Sequence, residues 1–197
     1  MATGASGSGT ATTANGLGSN DVYDVYVTGG LPFVGNTIVY AATLGGLSIS
    51  TNGGASFTNR TTANGLGSND VYGVYAVGST VYAATQGGVS ISPDGGENWT
   101  NYDTANGLGS YYVFGVYAVG STIYAATREG LSISTNGGTN WNNYTNANSG
   151  LGGDEVTGVY VFGGTVYVAT IPNYIWPDFF NPTSSGGLSM AASNLLL

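Results

Sequence analysis

Apolar, aromatic and β-branched residues fall along this chain in short runs of strand length, and Gly, Asn, Ser and Thr fill the gaps between them. Between Asn64 and Tyr102 the runs are Val71 to Val77, Thr80 to Thr85, Val89 to Ser92 and Asn98 to Tyr102. Val, Tyr, Thr and Ile dominate them, the residues that suit a pleated, half-buried surface. The turn signals lie about ten residues apart, the spacing of an antiparallel meander and not of strand–helix–strand units. Aligning on the tetrapeptide YAAT gives Tyr40, Tyr82, Tyr124 and the variant at Tyr167, spaced 42, 42 and 43 residues apart. A constant period of this size signals a repeat architecture, and four strands in about 42 residues make one propeller blade.

The pattern therefore predicts an all-β, β-propeller-like fold of four blades, each a four-stranded antiparallel meander, with units at about 13–61, 62–103, 104–145 and 146–197. A Gly/Ser/Thr arm, residues 1–12, precedes them as a flexible tail or an exchanged strand. Two insertions break the period: GGLPFVGN at 29–36 between the first and second strands of unit one, and IPNYIWPDFFNPTSSG at 171–186 between the second and third strands of unit four. In a meander blade those turns lie on opposite faces. The third strand of unit four is expected at Leu188 to Met190, with Ser8 to Thr12 and Asn194 to Leu197 competing for its fourth. A spare strand beside an open sheet edge is a route to head-to-tail assembly.

Composition narrows the chemistry. The formal charge of -8 comes from ten carboxylates against two arginines, Arg60 and Arg128, with no Lys, His or Cys. Phosphate binding draws on Lys and Arg clusters, so nucleic acid is a poor partner. Missing His, Lys and Cys remove the Ser-His-Asp triad, Cys-His pairs, the Walker lysine, Schiff-base chemistry and nearly all zinc sites. The start has no signal-peptide pattern and the closing LLL is too short to span a bilayer, so no membrane insertion is expected.

The run Asn64-Gly65-Leu66-Gly67-Ser68-Asn69-Asp70-Val71, continuing through Tyr82-Ala83-Ala84-Thr85 to Gly87-Gly88-Val89, resembles the blade repeat of two-component-regulator sensor propellers. Ser92-Pro93-Asp94-Gly95-Gly96-Glu97-Asn98-Trp99 is similar to the Asp-box, S-x-D-x-G-x-x-W, of sialidase-like and other BNR-repeat propellers. Unit three keeps the box with Asn136 and Trp141, unit one has Asn52 and Phe57, and unit four has lost it, reading Ala191-Ala192-Ser193-Asn194-Leu195. The likeness spans residues 13 to 170. It implies that Asp94, Asn136 and Asn52 shape hairpin turns and that Trp99, Trp141 and Phe57 anchor them between blades, a structural role. Sialidase chemistry needs an arginine cluster, which two arginines in separate turns cannot build.

Candidate sites remain where the copies differ. Tyr174, Trp176, Phe179 and Phe180 place four aromatics in the fourth-unit insertion, a large apolar area that either covers the blade or grips a partner. Asp24 stands where units two to four have Gly73, Gly115 and Gly158, and Asp21 with Asp154 and Glu155 would be its neighbours if four blades close. No metal spacing is present and no cofactor is expected; the residual possibility is Ca2+ on Asp21, Asp70 and loop carbonyls. Asn59, Asn98 and Asn143 lie in glycosylation sequons. The reading is a non-enzymatic extracellular or cell-surface protein, structural or adhesive, that associates with copies of itself as an oligomer or filament. The alternatives are a carbohydrate-binding propeller using the loop face and the aromatic insertion, and a sensory ectodomain fragment.

Overall fold

The computed structural model describes residues 10–29, 37–171 and 189–193. The first nine residues, most of both insertions and Asn194 to Leu197 lie outside the described residues, and with them the expectations placed on the arm, on Tyr174, Trp176, Phe179 and Phe180, and on the C-terminal leucines. Four sheets follow one another along the chain. The first holds β1 (Val22–Thr28), β2 (Ile38–Thr43), β3 (Gly46–Ser50) and β4 (Thr58–Arg60), paired in that order. The second repeats it with β5 (Val71–Val77), β6 (Thr80–Thr85), β7 (Gly88–Ser92) and β8 (Thr100–Tyr102), and the third with β9 (Val113–Val119), β10 (Thr122–Thr127), β11 (Gly130–Ser134) and β12 (Asn142–Tyr144). Among the described residues the fourth has three strands, β13 (Glu155–Phe162), β14 (Thr165–Ile171) and β15 (Ser189–Ser193). Every pairing is antiparallel.

The strands stack by their inner members: β1 packs on β5, β5 on β9 and β9 on β13. Three apolar clusters lie in the three junctions so made. Tyr40, Leu47 and Ile49 of the first sheet meet Val71, Val74, Ala76 and Val81 of the second. Tyr82 and Val89 meet Val113, Val116 and Ile123, and Tyr124, Leu131 and Ile133 meet Val156, Val166 and Val168. Each junction thus mates a tyrosine-bearing face with a valine-bearing one. Among the described residues β1 and β13 do not form such a packed pair, so the stack is open and Asp21 and Asp24 lie at the end away from Asp154 and Glu155.

Before each of the first three sheets the chain makes a short 3-10 turn, at Thr13–Asn15, Thr62–Asn64 and Thr104–Asn106, replaced before the fourth sheet by α1 (Asn146–Ser149). Thr12, Thr61 and Asp103 cap the three 3-10 turns through their side chains, each accepting from the second residue on. These side chains satisfy amides that the short turn leaves free. A leucine in each following loop is buried: Leu17, Leu66, Leu108 and Leu151.

Sequence and structure part company in the fourth sheet. The fragment Gly187-Leu188-Ser189 aligns with Gly46-Leu47-Ser48, yet Thr170 pairs with Ser189 where Thr43 pairs with Gly46, a slip of two residues. As a consequence β15 runs on to Ser193, and Ala191 to Ser193, expected in a degenerate turn, belong to the strand. The tight turn that pins this register in the other units is replaced by the long insertion, and register is only as fixed as the turn that sets it.

Candidate functional site

Two hydrogen-bonded devices repeat on the outer edge. In the Asp-box of unit two, Ser92 Oγ donates to Asp94 Oδ1 at 2.7 Å and accepts from Gly96 N at 2.8 Å. Asp94 Oδ1 also takes the amides of Glu97 and Asn98 at 3.1 and 2.9 Å, and Asn98 Nδ2 donates to its Oδ2 at 2.6 Å. Led by those Asn98 bonds, with Ser92 next, this donor set holds the Asp94 carboxyl down at about 2. Asn52 and Asn136 take the same part from Ser50 and Ser134, at 2.8 and 3.0 Å. The second device joins loop to sheet: Ser90 Oγ accepts from Gly67 N at 3.0 Å and donates to Asn101 Oδ1 at 2.8 Å, while Asn101 Nδ2 reaches Gly87 O at 2.7 Å. Ser48 with Asn59 repeats it in full, and Ser132 with Asn143 repeats its serine bonds while Asn143 Nδ2 turns to Gly107 O.

The aromatic partners of the boxes differ in depth. Trp141 is buried in the junction of the second and third sheets. Trp99 is half-buried against the first junction and donates Nε1 to Gly96 O at 3.0 Å, whereas among the described residues Trp141 Nε1 has no hydrogen-bond partner. Phe57 is half-buried, its backbone amide donating to Asn15 O at 2.8 Å. The sequon residues Asn59, Asn98 and Asn143 each donate Nδ2 within the fold, to Gly45 O, Asp94 Oδ2 and Gly107 O. A glycan on any of them would have to share a nitrogen already engaged.

Asp24 is tied into the scaffold. Its Oδ2 accepts from Val74 N of the second sheet at 2.9 Å and its Oδ1 from Val25 N at 2.9 Å. The glycine at the equivalent position of the next sheet is needed for close approach, because a Cβ on Gly73 would lie 2.9 Å from Phe114 O. Asp24 replaces that close contact with a hydrogen bond across the first junction. Asp154 Oδ1 accepts from Asn146 N at 2.6 Å. Among the described residues no three His, Cys, Asp or Glu side chains gather as a metal site.

The inner edge carries what the sequence reading missed. Each inner strand has a bulge near its start, and the residue left without a partner is Tyr23 in β1, Tyr72 in β5, Phe114 in β9 and Thr157 in β13. A bulge re-aims the extra side chain, and here all four point into one cleft of 430 Å³, lined also by Tyr112, Arg128 and Glu155. Tyr23 and Tyr72 meet edge to face with centroids 5.6 Å apart, and Tyr72 and Phe114 follow at 6.0 Å. Arg128 lies over the Tyr112 ring, Cζ 5.4 Å from its centroid, and Gln86 Nε2 donates to the Tyr112 hydroxyl at 2.7 Å. Burial, with Asp70, Tyr112 and Tyr23 nearby, pushes the Tyr72 phenol up, so it remains a neutral donor. A second row, Tyr26, Tyr75, Tyr117 and Tyr160, runs along the inner strands at centroid spacings of 5.0, 4.5 and 4.9 Å. Burial, then the bond to Tyr117, raises Tyr75 far above the ordinary phenol range.

The bulges have a signal in the sequence. Val71 and Val74 are both buried on one side although three positions separate them, which strict alternation forbids without an extra residue. Ile171, from which the aromatic insertion departs, pairs with Glu155 at the rim of the cleft.

Antiparallel four-stranded meanders, stacked by their inner strands and fastened by Asp-box turns, define a β-propeller repeat protein. Residues 23–170 match the DUF6242 beta propeller domain, and the chain belongs to that family. No curated protein is similar to it. Among solved structures it is similar to the extracellular domain of BT3049 from B. thetaiotaomicron, described as a hybrid two component system, with 19% identity and a TM-score of 0.63 over 78% of this chain and 22% of that one. An ancestral GH74 enzyme shares 22% identity at a TM-score of 0.59, over 80% of this chain and 23% of that one. The computationally designed Ika4 protein shares 12% identity at a TM-score of 0.55, over 78% of this chain and 88% of that one. These likenesses show the propeller fold alone. The chain spans about a fifth of the length of the BT3049 extracellular domain and of the GH74 enzyme.

Proposed function

We propose that this chain is a non-catalytic extracellular recognition module whose bulged inner edge binds a small carbohydrate. The observation that carries the reading is the convergence of four bulge residues, one from each sheet, on a single cleft. Sites for small molecules combine apolar and aromatic walls with a few placed polar groups. Here Tyr23, Tyr72 and Phe114 offer ring faces and edges, while Arg128, Glu155, Thr157 and the Tyr112 hydroxyl offer donors and acceptors. A sugar presents the matching pair, an apolar C–H face and a rim of hydroxyls.

Among the residues lining the cleft Glu155 is the single carboxylate, and hydrolysis of a glycosidic bond ordinarily uses two. That supports binding without cleavage, although the GH74 enzymes share the fold. The likeness to two sensor ectodomains, BT3049 and BT4673, supports an extracellular placement and a sensing role for the module. Glycan-array screening of the purified chain, followed by titration of any hit against Tyr23→Ala and Arg128→Ala, tests the reading. Both side chains are exposed, so the fold survives their loss. Each variant is expected to weaken binding about tenfold or more, ~1.4 kcal/mol per tenfold. An array without a hit, or a hit indifferent to both substitutions, contradicts it.

A further inference from the structure

The two outward faces of the stack are the two halves of the junction that occurs three times within it. At the first two internal junctions a valine face is covered, Val74 and Val116 being 4% and 8% exposed and Ala76 and Ala118 3% each, and at the third Val159 and Val161 are half-buried. Their counterparts in the first sheet, Val25 and Val27, are 52% and 54% exposed. At the other end, Tyr167 is 43% exposed, whereas Tyr40, Tyr82 and Tyr124, which occupy the same position, are 2%, 7% and 6% exposed. The tyrosine row along the inner strands likewise stops at Tyr26 on one side and Tyr160 on the other.

We propose that the occupant of these faces is a second copy of this chain. The Tyr160 and Tyr167 face of each copy's fourth sheet receives the Val25 and Val27 face of its partner's first sheet. Two such junctions, related by a two-fold axis, close a ring of eight sheets, within the four to eight blades that propellers use. The continuity is specific. Tyr160 takes towards the next copy the position that Tyr26 takes towards Tyr75, and the bulge row that ends at Thr157 resumes with the partner's first sheet. Self-association here uses sheet faces, and the N-terminal arm is not required for it. This pairing of faces does not depend on what the cleft binds.

The test is the mass of the full chain in solution by light scattering, with two charge-bearing variants. The wild type is expected at the mass of two 19.8 kDa chains. Val25→Glu combined with Val27→Glu spoils only the valine face, and Tyr167→Glu only the tyrosine face; each buries an unpaired charge in the junction and weakens dimerisation by about a hundredfold or more. All three side chains are exposed in the single chain, and unchanged circular dichroism and melting of the isolated variants check that they fold. Mixed in equal amounts, the two variants retain one intact junction between them and are expected to form a heterodimer that neither forms alone. A wild-type chain that stays monomeric up to hundreds of micromolar, as when its own insertions cover these faces, overturns the proposal. So do variants that remain dimeric, or a mixture that shows no heterodimer.

Discussion

On the outer edge of the stack, three units use the same Ser, Asn or Asp side chains in the same turns, with the Ser90 to Asn101 bond at 2.8 Å matched by 3.0 Å from Ser48 to Asn59 and 2.7 Å from Ser132 to Asn143. The inner edge keeps its backbone bulge in all four sheets but changes the side chain that the bulge presents: Tyr23, Tyr72, Phe114 and Thr157. Where copies agree in chemistry the residues fasten loop to strand. Where only the backbone agrees, the fold is offering positions to be filled for another purpose. The contrast separates scaffold from the proposed recognition surface, and it can be attacked from either side.

Outer-edge variants should lower stability and leave cleft binding intact. The largest effect is expected for Trp141→Ala, which empties a buried anchor in the second junction and should cost roughly 3–5 kcal/mol in urea unfolding. Ser90→Ala comes next. It leaves Gly67 N and Asn101 Oδ1 without their buried partner, at about 1–3 kcal/mol. Trp99→Phe loses the bond to Gly96 O and should cost about 0.5–1.5 kcal/mol more than Trp141→Phe, whose indole nitrogen makes no bond among the described residues. Equal losses from the two Phe substitutions would show that the anchors act through volume alone. Glu97→Ala should cost only about 0.2–1 kcal/mol, because the 2.6 Å pair with Arg60 is made by a well-exposed carboxylate and Arg60 keeps its bond to Gly96 O.

The smallest effect appears in acid. Asp94 is held at about 2 against 3.8 for the free side chain, so its contribution to stability is complete above the unfolded value and is lost as pH falls through the folded one. Melting curves between pH 4 and pH 2 should show this decline in the wild type and a shallower one in Asp94→Asn, which keeps the acceptor that Asn52 and Asn136 provide. An identical decline in both would place the acid-sensitive group elsewhere.

The repeat period and the alternation of turn and strand made the blades readable directly. Val71 to Val77 and Thr80 to Thr85 form strands at the bounds the pattern indicates. The fourth strand of that unit is shorter than its apolar pattern, starting at Thr100 and not at Asn98, because the Asn98 amide is claimed by Asp94 and stays in the turn. Asp24 looked like a site because it is a charge where glycine is usual; its partner is a backbone amide fifty residues away, which spacing does not reveal. The cleft was harder still. Its residues come from four repeats and look like ordinary strand aromatics until the extra residue in each inner strand is noticed. The two-residue slip of β15 depends on how a long insertion closes, and a local pattern does not encode that.

The proposed function makes the bulged inner edge the surface that meets a ligand. The most direct measurement is a two-dimensional NMR titration of the isotopically labelled chain with a carbohydrate hit, reading backbone amide shifts residue by residue. The prediction is a contiguous set of perturbed amides at Tyr23, Tyr72, Tyr112 to Phe114, Arg128 and Glu155 to Thr157, with the Asp-box turns silent. Perturbations confined to the outer turns, or spread over the two end sheets without the bulge residues, would contradict it.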